Sequence, residues 1–204
     1  MSEKLDALGA ETFWVERPSR LVGQVRLRGC RIPAKGDGPK KTLLMLHGYT
    51  EFLEKCAIEV FVRMQAMGYT VWSFDWRGQG LSTRLTGDPM RGHVLSLDDH
   101  LDDAKAIVHM MAERDGGDVV LVGHSMGGHL ALRLLAEKPE PFRHGVILSP
   151  MIGIRTNGLP VAVARGLLAL FSGMGLSKRY PPGVPPTDPL DRKYENNVLT
   201  TDQR

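Results

Sequence analysis

The 204-residue sequence predicts an α/β fold, with a mostly parallel sheet and helices on both of its faces. Short apolar runs alternate along the chain with segments of helical periodicity, which is the pattern of βαβ units. The length of these runs, their β-branched content and their Gly or Asp endings favour buried strands over buried helix segments. The composition agrees with one soluble domain, since 42% of the residues are hydrophobic and 24% are charged.

The first predicted strand spans residues 22–32, where apolar and polar side chains alternate as in a half-exposed antiparallel strand. Four apolar runs follow, and each of the first three leads into a helix. The predicted strands are 42–48, 69–75, 118–124 and 144–150, and the predicted helices are 54–67, 96–114 and 126–137. Ser96 is a suitable N-cap for the second helix, with Asp98 and Asp99 close to its positive end.

The composition changes near Pro150. From there the chain is rich in Gly and Pro, with one apolar helix at about 160–172 and then the run "YPPGVPPTDP". This segment predicts an insertion beyond the sheet. The longest apolar stretch, residues 159–176, carries Arg165 in its middle and is shorter than the roughly 20 residues of a membrane span, so we expect no transmembrane helix.

Charge and cysteine content narrow the function classes. The net charge of +3 is small and is not concentrated in a run, so nucleic acid is not an expected partner. Cys30 and Cys56 lack metal-ligand spacing and are expected to be reduced and buried. The first residues, "MSEKLDALGAETF", have neither a basic nor an apolar signal region, which favours a cytoplasmic protein. We expect no metal and no cofactor.

The pentapeptide Gly123-His124-Ser125-Met126-Gly127 matches the Gly-x-Ser-x-Gly pattern of a nucleophile elbow. By itself the pattern is short enough to arise by chance, and an ordinary tight turn with a capping serine would also produce it. Here it follows an apolar strand and opens a helix, which is the context that the elbow requires. The helix would also direct its N-terminal amides towards a developing oxyanion. Ser125 is therefore the candidate nucleophile.

The segment "LMLHGYTEF", residues 44–52, is the second part of the candidate site. An oxyanion hole needs one donor from the residue after the nucleophile and another from the loop after an earlier strand. The N–H of Met126 would be the first donor and the N–H of Tyr49 the second. His47 is interpreted as a structural residue that fixes this loop, because it lies on the wrong loop for a triad base.

Five blocks of the sequence together carry a family resemblance: "HGYTEF", "FDWRGQGLS", "RGHVLSLDDHLDD", "GHSMGG" and "NNVLTTDQR". Their order and spacing resemble those of the lysophospholipase L2 and monoacylglycerol lipase group, which are serine esterases with the α/β-hydrolase fold. The resemblance extends from about residue 20 to the end. It implies Ser125 as nucleophile and the amides of Tyr49 and Met126 as oxyanion donors. It also implies that Asp75, Arg77 and Gly78 form a turn near the site, which we interpret as structural.

The resemblance also implies a domain organisation. Residues 1–149 would form the N-terminal part of the hydrolase core, residues 150–195 a lid over an acyl pocket, and residues 196–204 a return towards the core. The strand at 144–149 would then be left with an unpaired edge, which favours aggregation.

In such enzymes the acid and the histidine of the triad follow later strands, in the chain order Ser, Asp, His. Here the strand after the elbow ends in Ser-Pro and supplies no carboxylate. The acidic residues in the predicted lid and at the terminus are Asp188, Asp191 and Asp202. His129 and His144 have the positions of packing or surface residues. We therefore expect the 204 residues to hold the nucleophile and the oxyanion hole without the triad acid and base.

The most specific prediction from the sequence is a serine hydrolase that cleaves carboxylic esters through an acyl-enzyme on Ser125. The resemblance suggests a lysophospholipid or a monoacylglycerol as substrate. The apolar lid helix suits an acyl chain or peripheral contact with a membrane surface, and it suits packing against the sheet equally well. Two alternatives remain: a catalytically incomplete module that binds an acyl ligand or a partner, and a peptidase or thioesterase of the same fold.

Overall fold

The computed structural model describes residues 3–36, 41–56, 60–88, 91–137, 140–153, 158–176 and 179. The strands are β1 (Glu11–Ser19), β2 (Gly23–Ile32), β3 (Lys41–Leu46), β4 (Tyr69–Phe74), β5 (Val119–His124) and β6 (Phe142–Leu148). The helices in these ranges are α1 (Glu3–Asp6), α2 (Leu53–Cys56), α3 (Val62–Ala66), α4 (Leu97–Asp115), α5 (Met126–Glu137) and α6 (Val161–Gly173).

The six strands form one sheet in the order β1-β2-β4-β3-β5-β6. β4, β3, β5 and β6 are parallel to one another, whereas β2 pairs antiparallel with both β1 and β4. The predicted mostly parallel sheet is confirmed. Because the carboxyl ends of parallel strands meet at one edge of a sheet, the segments after β3, β4 and β5 lie together there.

Helices cover both faces of the sheet, as the alternation of strands and helices predicts. On β3 the side chains of Leu44 and Leu46 belong to the core beneath α4 and α5. Leu43 and Met45 point the other way, into the core beneath α1 and the α2–α3 segment. The central strands are apolar on both faces because each face is covered.

The inner half of β2 differs from the sequence prediction. A half-exposed strand was expected, but Leu27, Arg28, Gly29 and Cys30 are all buried. The reason is that both faces of this part of β2 are covered: Leu27 belongs to the core beneath α4 and α5, and Cys30 belongs to the core beneath α1 and α2. The sequence analysis also did not predict β1, which pairs with the outer edge of β2. Arg28 is buried because its guanidinium forms ion pairs with Asp75 and Glu54.

One helix and one cysteine also differ from the sequence prediction. In place of the predicted helix 54–67 the structure has α2 and α3, and residues 57–59 between them lie outside the described residues. Cys30 is buried as expected, whereas Cys56 is only half-buried, and both cysteines are free. Burial raises the pKa of each thiol to about 12, so neither is a reactive nucleophile at neutral pH.

β6 lies at an edge of the sheet, and two of its apolar side chains reach solvent. Val146 is 44% exposed and Leu148 is 48% exposed. They border an apolar groove of about 440 Å³ that runs across one face of β3 and β5 towards Met64 and Met67.

α6 has no buried residue, so it does not pack into either core. The sequence left open whether this helix packs against the sheet or contacts an acyl chain or a membrane. In the structure it does not pack against the sheet. Among the helices in the described ranges, none is long and apolar enough to cross a membrane.

Candidate active site

The turn between β5 and α5 holds Ser125 in a left-handed backbone conformation, with a φ of 53°. Residues other than glycine avoid this region because their Cβ comes too close to the backbone. The surrounding structure must therefore hold Ser125 in this conformation. The Ser125 N–H donates to the carbonyl of Leu148 over 3.0 Å. Its own carbonyl accepts from the amides of His129 and Met151 at 3.0 and 2.9 Å. The serine therefore lies on a strained turn at the carboxyl edge of the sheet.

Glycines surround Ser125 because the backbone segments touch. A Cβ on Gly123 would lie 2.6 Å from the carbonyl oxygen of Gly127. A Cβ on Gly127 would lie 2.5 Å from the carbonyl oxygen of His47, and closer still to that of Leu46. The first turn of α5 is thus packed directly on the end of β3, which brings the two predicted parts of the site together.

The loop after β3 lies against the serine. A Cβ on Gly48 would be 3.2 Å from the Cβ of Ser125. Two side chains hold this loop: the Gly48 N–H donates to Glu51 over 2.7 Å, and the Thr50 N–H donates to Gln79 over 2.8 Å. Tyr49 lies between these two anchored amides, and its hydroxyl donates to the carbonyl of Gly92.

Met126 is the first residue of α5 and is buried. The first amides of a helix have no intrahelical acceptor, and they lie at the positive end of the helix dipole. The residue after the serine therefore belongs to a group of donors that would favour a negative charge.

His47 is fully buried beneath this loop, and its Nδ1 is 2.9 Å from the carbonyl oxygen of Gly48. Since a carbonyl can only accept, Nδ1 carries the proton. Burial lowers the pKa of His47, against the opposing effects of Asp75 and of the Gly48 carbonyl, so the ring is neutral at pH 7. Its own carbonyl accepts from Trp76 Nε1 over 2.9 Å. These contacts are those of a residue that fixes a loop.

The predicted structural turn after β4 is built on a buried carboxylate. Asp75 accepts from the amides of Leu53 and Leu81, each over 2.9 Å, and from Arg28 Nε over 2.8 Å. Arg77 forms a bidentate ion pair with Asp103, with hydrogen bonds of 2.7 and 2.6 Å, which connects the turn to α4. Gly78 adopts a φ of 79°, which favours glycine.

The other residues named in the sequence analysis lie apart from this arrangement or outside the described ranges. His129 is half-buried in α5, and His144 is exposed on β6. Asp188, Asp191 and Asp202 lie outside the described residues.

Within the described residues, no group of three or more His, Cys, Asp or Glu is placed to hold a metal ion. The groove beside β6 includes neither Ser125 nor Tyr49 nor Met126, so we do not assign it to a substrate.

Sequence reasoning missed one contact of the site. Glu51 Oε2 lies 3.2 Å from His124 Nδ1, although the two residues are 73 positions apart. Both stand inside blocks that carry the family resemblance. Their pairing depends on β3 and β5 being neighbours in the sheet, and no local pattern signals it.

A mostly parallel sheet in which one of the parallel strands, β5, runs through a strained serine turn into a helix defines an α/β hydrolase. The chain belongs to the family described as serine aminopeptidase, S33, whose model matches residues 37–204. The family resemblance stated from the sequence is thereby confirmed.

Two curated proteins and one solved structure are similar to the chain. Over 124 residues the chain is 33% identical to phospholipase YtpA of Bacillus subtilis, covering 59% of this chain and 44% of that protein. Over 103 residues it is 33% identical to lysophospholipase L2 of Escherichia coli, covering 50% of this chain and 30% of that protein. The solved structure of the Pyrococcus furiosus esterase Pf2001 superposes with a TM-score of 0.57 at 26% identity, covering 87% of this chain and 68% of that one. The chain spans less than half the length of these two curated relatives.

Proposed function

We propose that the protein is a serine hydrolase that cleaves carboxylic esters through an acyl-enzyme on Ser125. The observation that carries this proposal is the φ of 53° at Ser125, on a turn between a parallel strand and a helix. In the proposed reaction Ser125 Oγ attacks the acyl carbon, and the alcohol leaves with the proton that the serine gives up. Water then hydrolyses the acyl-serine bond.

The tetrahedral intermediate of each step carries a negative oxygen, which needs donors already in place. We assign these donors to the amides of Met126 and Tyr49. The position of Met126 at the start of α5 supports the first assignment. The anchored loop beside Ser125 supports the second, because the Gly48 and Thr50 amides on either side of Tyr49 are held by side chains.

The histidine that accepts the Ser125 proton, and the acid that orients it, are proposed to lie outside these 204 residues. The fraction of the curated relatives that the chain spans, 44% and 30% for the two described above, is consistent with this proposal. Loss of the triad histidine costs on the order of 10⁶ in turnover in a well-studied serine protease. Ester hydrolysis by residues 1–204 alone is therefore proposed to be close to background.

The proposed substrate is a lysophospholipid or a monoacylglycerol. Two kinds of observation support this choice. Curated relatives of the chain are named phospholipase, lysophospholipase and monoacylglycerol lipase. In addition, α6 exposes apolar side chains within the proposed lid, residues 150–195, where they could contact an acyl chain or a membrane surface. We also propose that the enzyme is cytoplasmic and works at the membrane periphery; the exposed apolar side chains of α6 support the second part of this proposal.

A peptidase is the second candidate, because the description of the matching family names a serine aminopeptidase. A peptidase of this fold would use the same serine and the same oxyanion donors, with an amine as leaving group. Assaying a monoacylglycerol, a lysophospholipid and an aminoacyl amide side by side would separate the two candidates.

Ser125 is expected to be the one serine that a fluorophosphonate probe labels in the complete protein, since it combines the strained turn with the proposed donors. The measurement is probe labelling followed by peptide mapping, together with hydrolysis of a short-chain ester. Ser125→Ala should abolish both signals. Equal labelling of that variant would refute the assignment. Turnover by residues 1–204 at the rate of the complete protein would show that the base lies within them, and His129 would be mutated first.

A further inference from the structure

The carboxylate of Glu51 bridges two segments that the proposed reaction needs side by side. One oxygen, Oε2, accepts the Gly48 N–H over 2.7 Å and lies 3.2 Å from His124 Nδ1. Gly48 directly precedes Tyr49, and His124 directly precedes Ser125. A single atom thus connects the loop after β3 with the turn after β5.

The crowding around Gly48 shows how closely these groups converge. A Cβ placed on Gly48 would lie 3.0 Å from Glu51 Oε2 and 3.2 Å from both His124 Nδ1 and the Ser125 Cβ. The carboxylate, the imidazole and the serine therefore approach one point beside the Gly48 Cα. The parallel pairing of β3 with β5, in which Leu46 lies opposite Gly123, brings the two strand ends to this point.

The contacts favour a charged carboxylate. Glu51 is largely buried, with 19% of its side chain exposed, and burial alone would raise its pKa. The Gly48 amide and His124 outweigh that effect, so the pKa of Glu51 is lowered from its ordinary value of 4.5. An ionised acceptor makes shorter and stronger hydrogen bonds than a neutral one, which suits a group that has to hold a loop in place.

We infer that Glu51 is a positioning residue, which together with His124 fixes the Tyr49 amide relative to Ser125 and Met126. This inference rests on the proposed function, because positioning matters only if those amides bind an oxyanion. Glu51 itself touches no reacting atom. A donor that is displaced from the oxyanion loses transition-state stabilisation, and removal of one such donor costs about 10²- to 10³-fold in kcat in a serine protease.

The experiment is a double-mutant cycle in the complete protein, with a p-nitrophenyl ester as probe. Glu51→Ala and His124→Leu are each expected to lower kcat by roughly 10- to 100-fold, with KM changed less than about threefold. The double variant should be no slower than the slower single variant, because both changes remove the same contact. His124→Asn should recover most of the activity, since its amide nitrogen can donate from the place of Nδ1.

The matched control is Glu113→Gln. Glu113 pairs with His109 at 3.3 Å on the exposed surface of α4, so the change removes a glutamate–histidine contact remote from the serine turn. Its kcat should equal that of the unaltered protein. If Glu51→Ala does not fold, the Leu and Asn variants of His124, whose side chain is 40% exposed, test the same contact.

The outcomes distinguish a failure of the proposed function from a failure of the positioning role of Glu51. Hydrolysis by Ser125→Ala would overturn the proposed function and the positioning role with it. An inactive Ser125→Ala alongside an unchanged kcat in Glu51→Ala and His124→Leu would overturn the positioning role alone. Additive losses in the double variant, or no recovery with His124→Asn, would also contradict a shared contact.

Discussion

His47 and His100 are both buried in the described part of the chain, and burial keeps both rings neutral. His100 gives the clearer case. Its Nδ1 is 3.1 Å from the carbonyl oxygen of Ser96, and its Nε2 has no hydrogen-bond partner among the described residues. Burial and the nearby charge of Arg77 lower the pKa of His100 to about 4, against the opposing effect of the Ser96 carbonyl.

This pKa makes folding sensitive to acid. Between the folded value of about 4 and the ordinary value of 6.5, the unfolded chain binds the extra proton and the folded protein does not. The contribution of His100 is therefore fully present above about pH 6.5 and is lost as the pH falls towards 4. Between pH 7 and pH 5 it should lower the free energy of unfolding by about 2 kcal/mol.

Urea unfolding of His100→Gln at pH 7 and pH 5 checks this prediction. The variant should lose about 2 kcal/mol less than the unaltered protein over that interval. His47 acts in the same direction and is present in both proteins, so it does not enter the difference. Identical pH dependence in His100→Gln would contradict a neutral buried ring.

At the scale of elements, the first turn of α5 and the end of β3 act as one packed unit. Gly127→Ala would force a methyl group against the carbonyl oxygens of Leu46 and His47, and backbone cannot yield as a flexible side chain does. We expect the free energy of unfolding to fall by about 2–3 kcal/mol. Chemical denaturation measures this change.

Gly166→Ala in α6 provides the matched comparison. A Cβ at Gly166 meets nothing within 4 Å, so alanine should be neutral or should stabilise the helix by up to about 1 kcal/mol. Equal stabilities of the two variants would contradict the packing described for Gly127.

The elements also show where sequence reasoning works. β3, β4 and β5 begin and end within two residues of their predicted limits, because apolar runs covered on both faces leave a strong signal. β1 has no such signal: its burial alternates only between exposed and half-buried positions, so it resembles a polar terminus. The burial of Arg28 in β2 could not be foreseen either, because its partners Asp75 and Glu54 lie on other elements. The Glu51–His124 contact could not be predicted from the sequence, because it depends on the order of the strands in the sheet and not on a local pattern.

At the scale of the whole molecule, the exposed side of β6 predicts self-association of residues 1–204 expressed alone. Open strand edges pair with other chains, and Val146 adds an exposed apolar side chain beside the groove. Sedimentation should show an average mass that rises with protein concentration. Val146→Lys should reduce this rise, because a charge on an edge strand opposes pairing.

Val163→Lys in α6 is the control, since Val163 is 47% exposed and Val146 is 44% exposed. It should leave the association unchanged. If Val163→Lys reduces the self-association and Val146→Lys does not, the apolar surface of α6 causes the association and the edge of β6 does not.

The ion pair between Arg28 and Asp75 bears on where a minimal gene fragment can start. The family model begins to match at residue 37, which lies after β2. A fragment cut at that boundary would lack the whole of β2, so β4 would lose a paired strand and Asp75 would lose this cation. Removing one partner of a buried pair costs about 3–5 kcal/mol, which is comparable with the whole stability of many domains. The cooperative folding unit is therefore larger than the region by which the family is identified, and cloning boundaries should follow the folding unit.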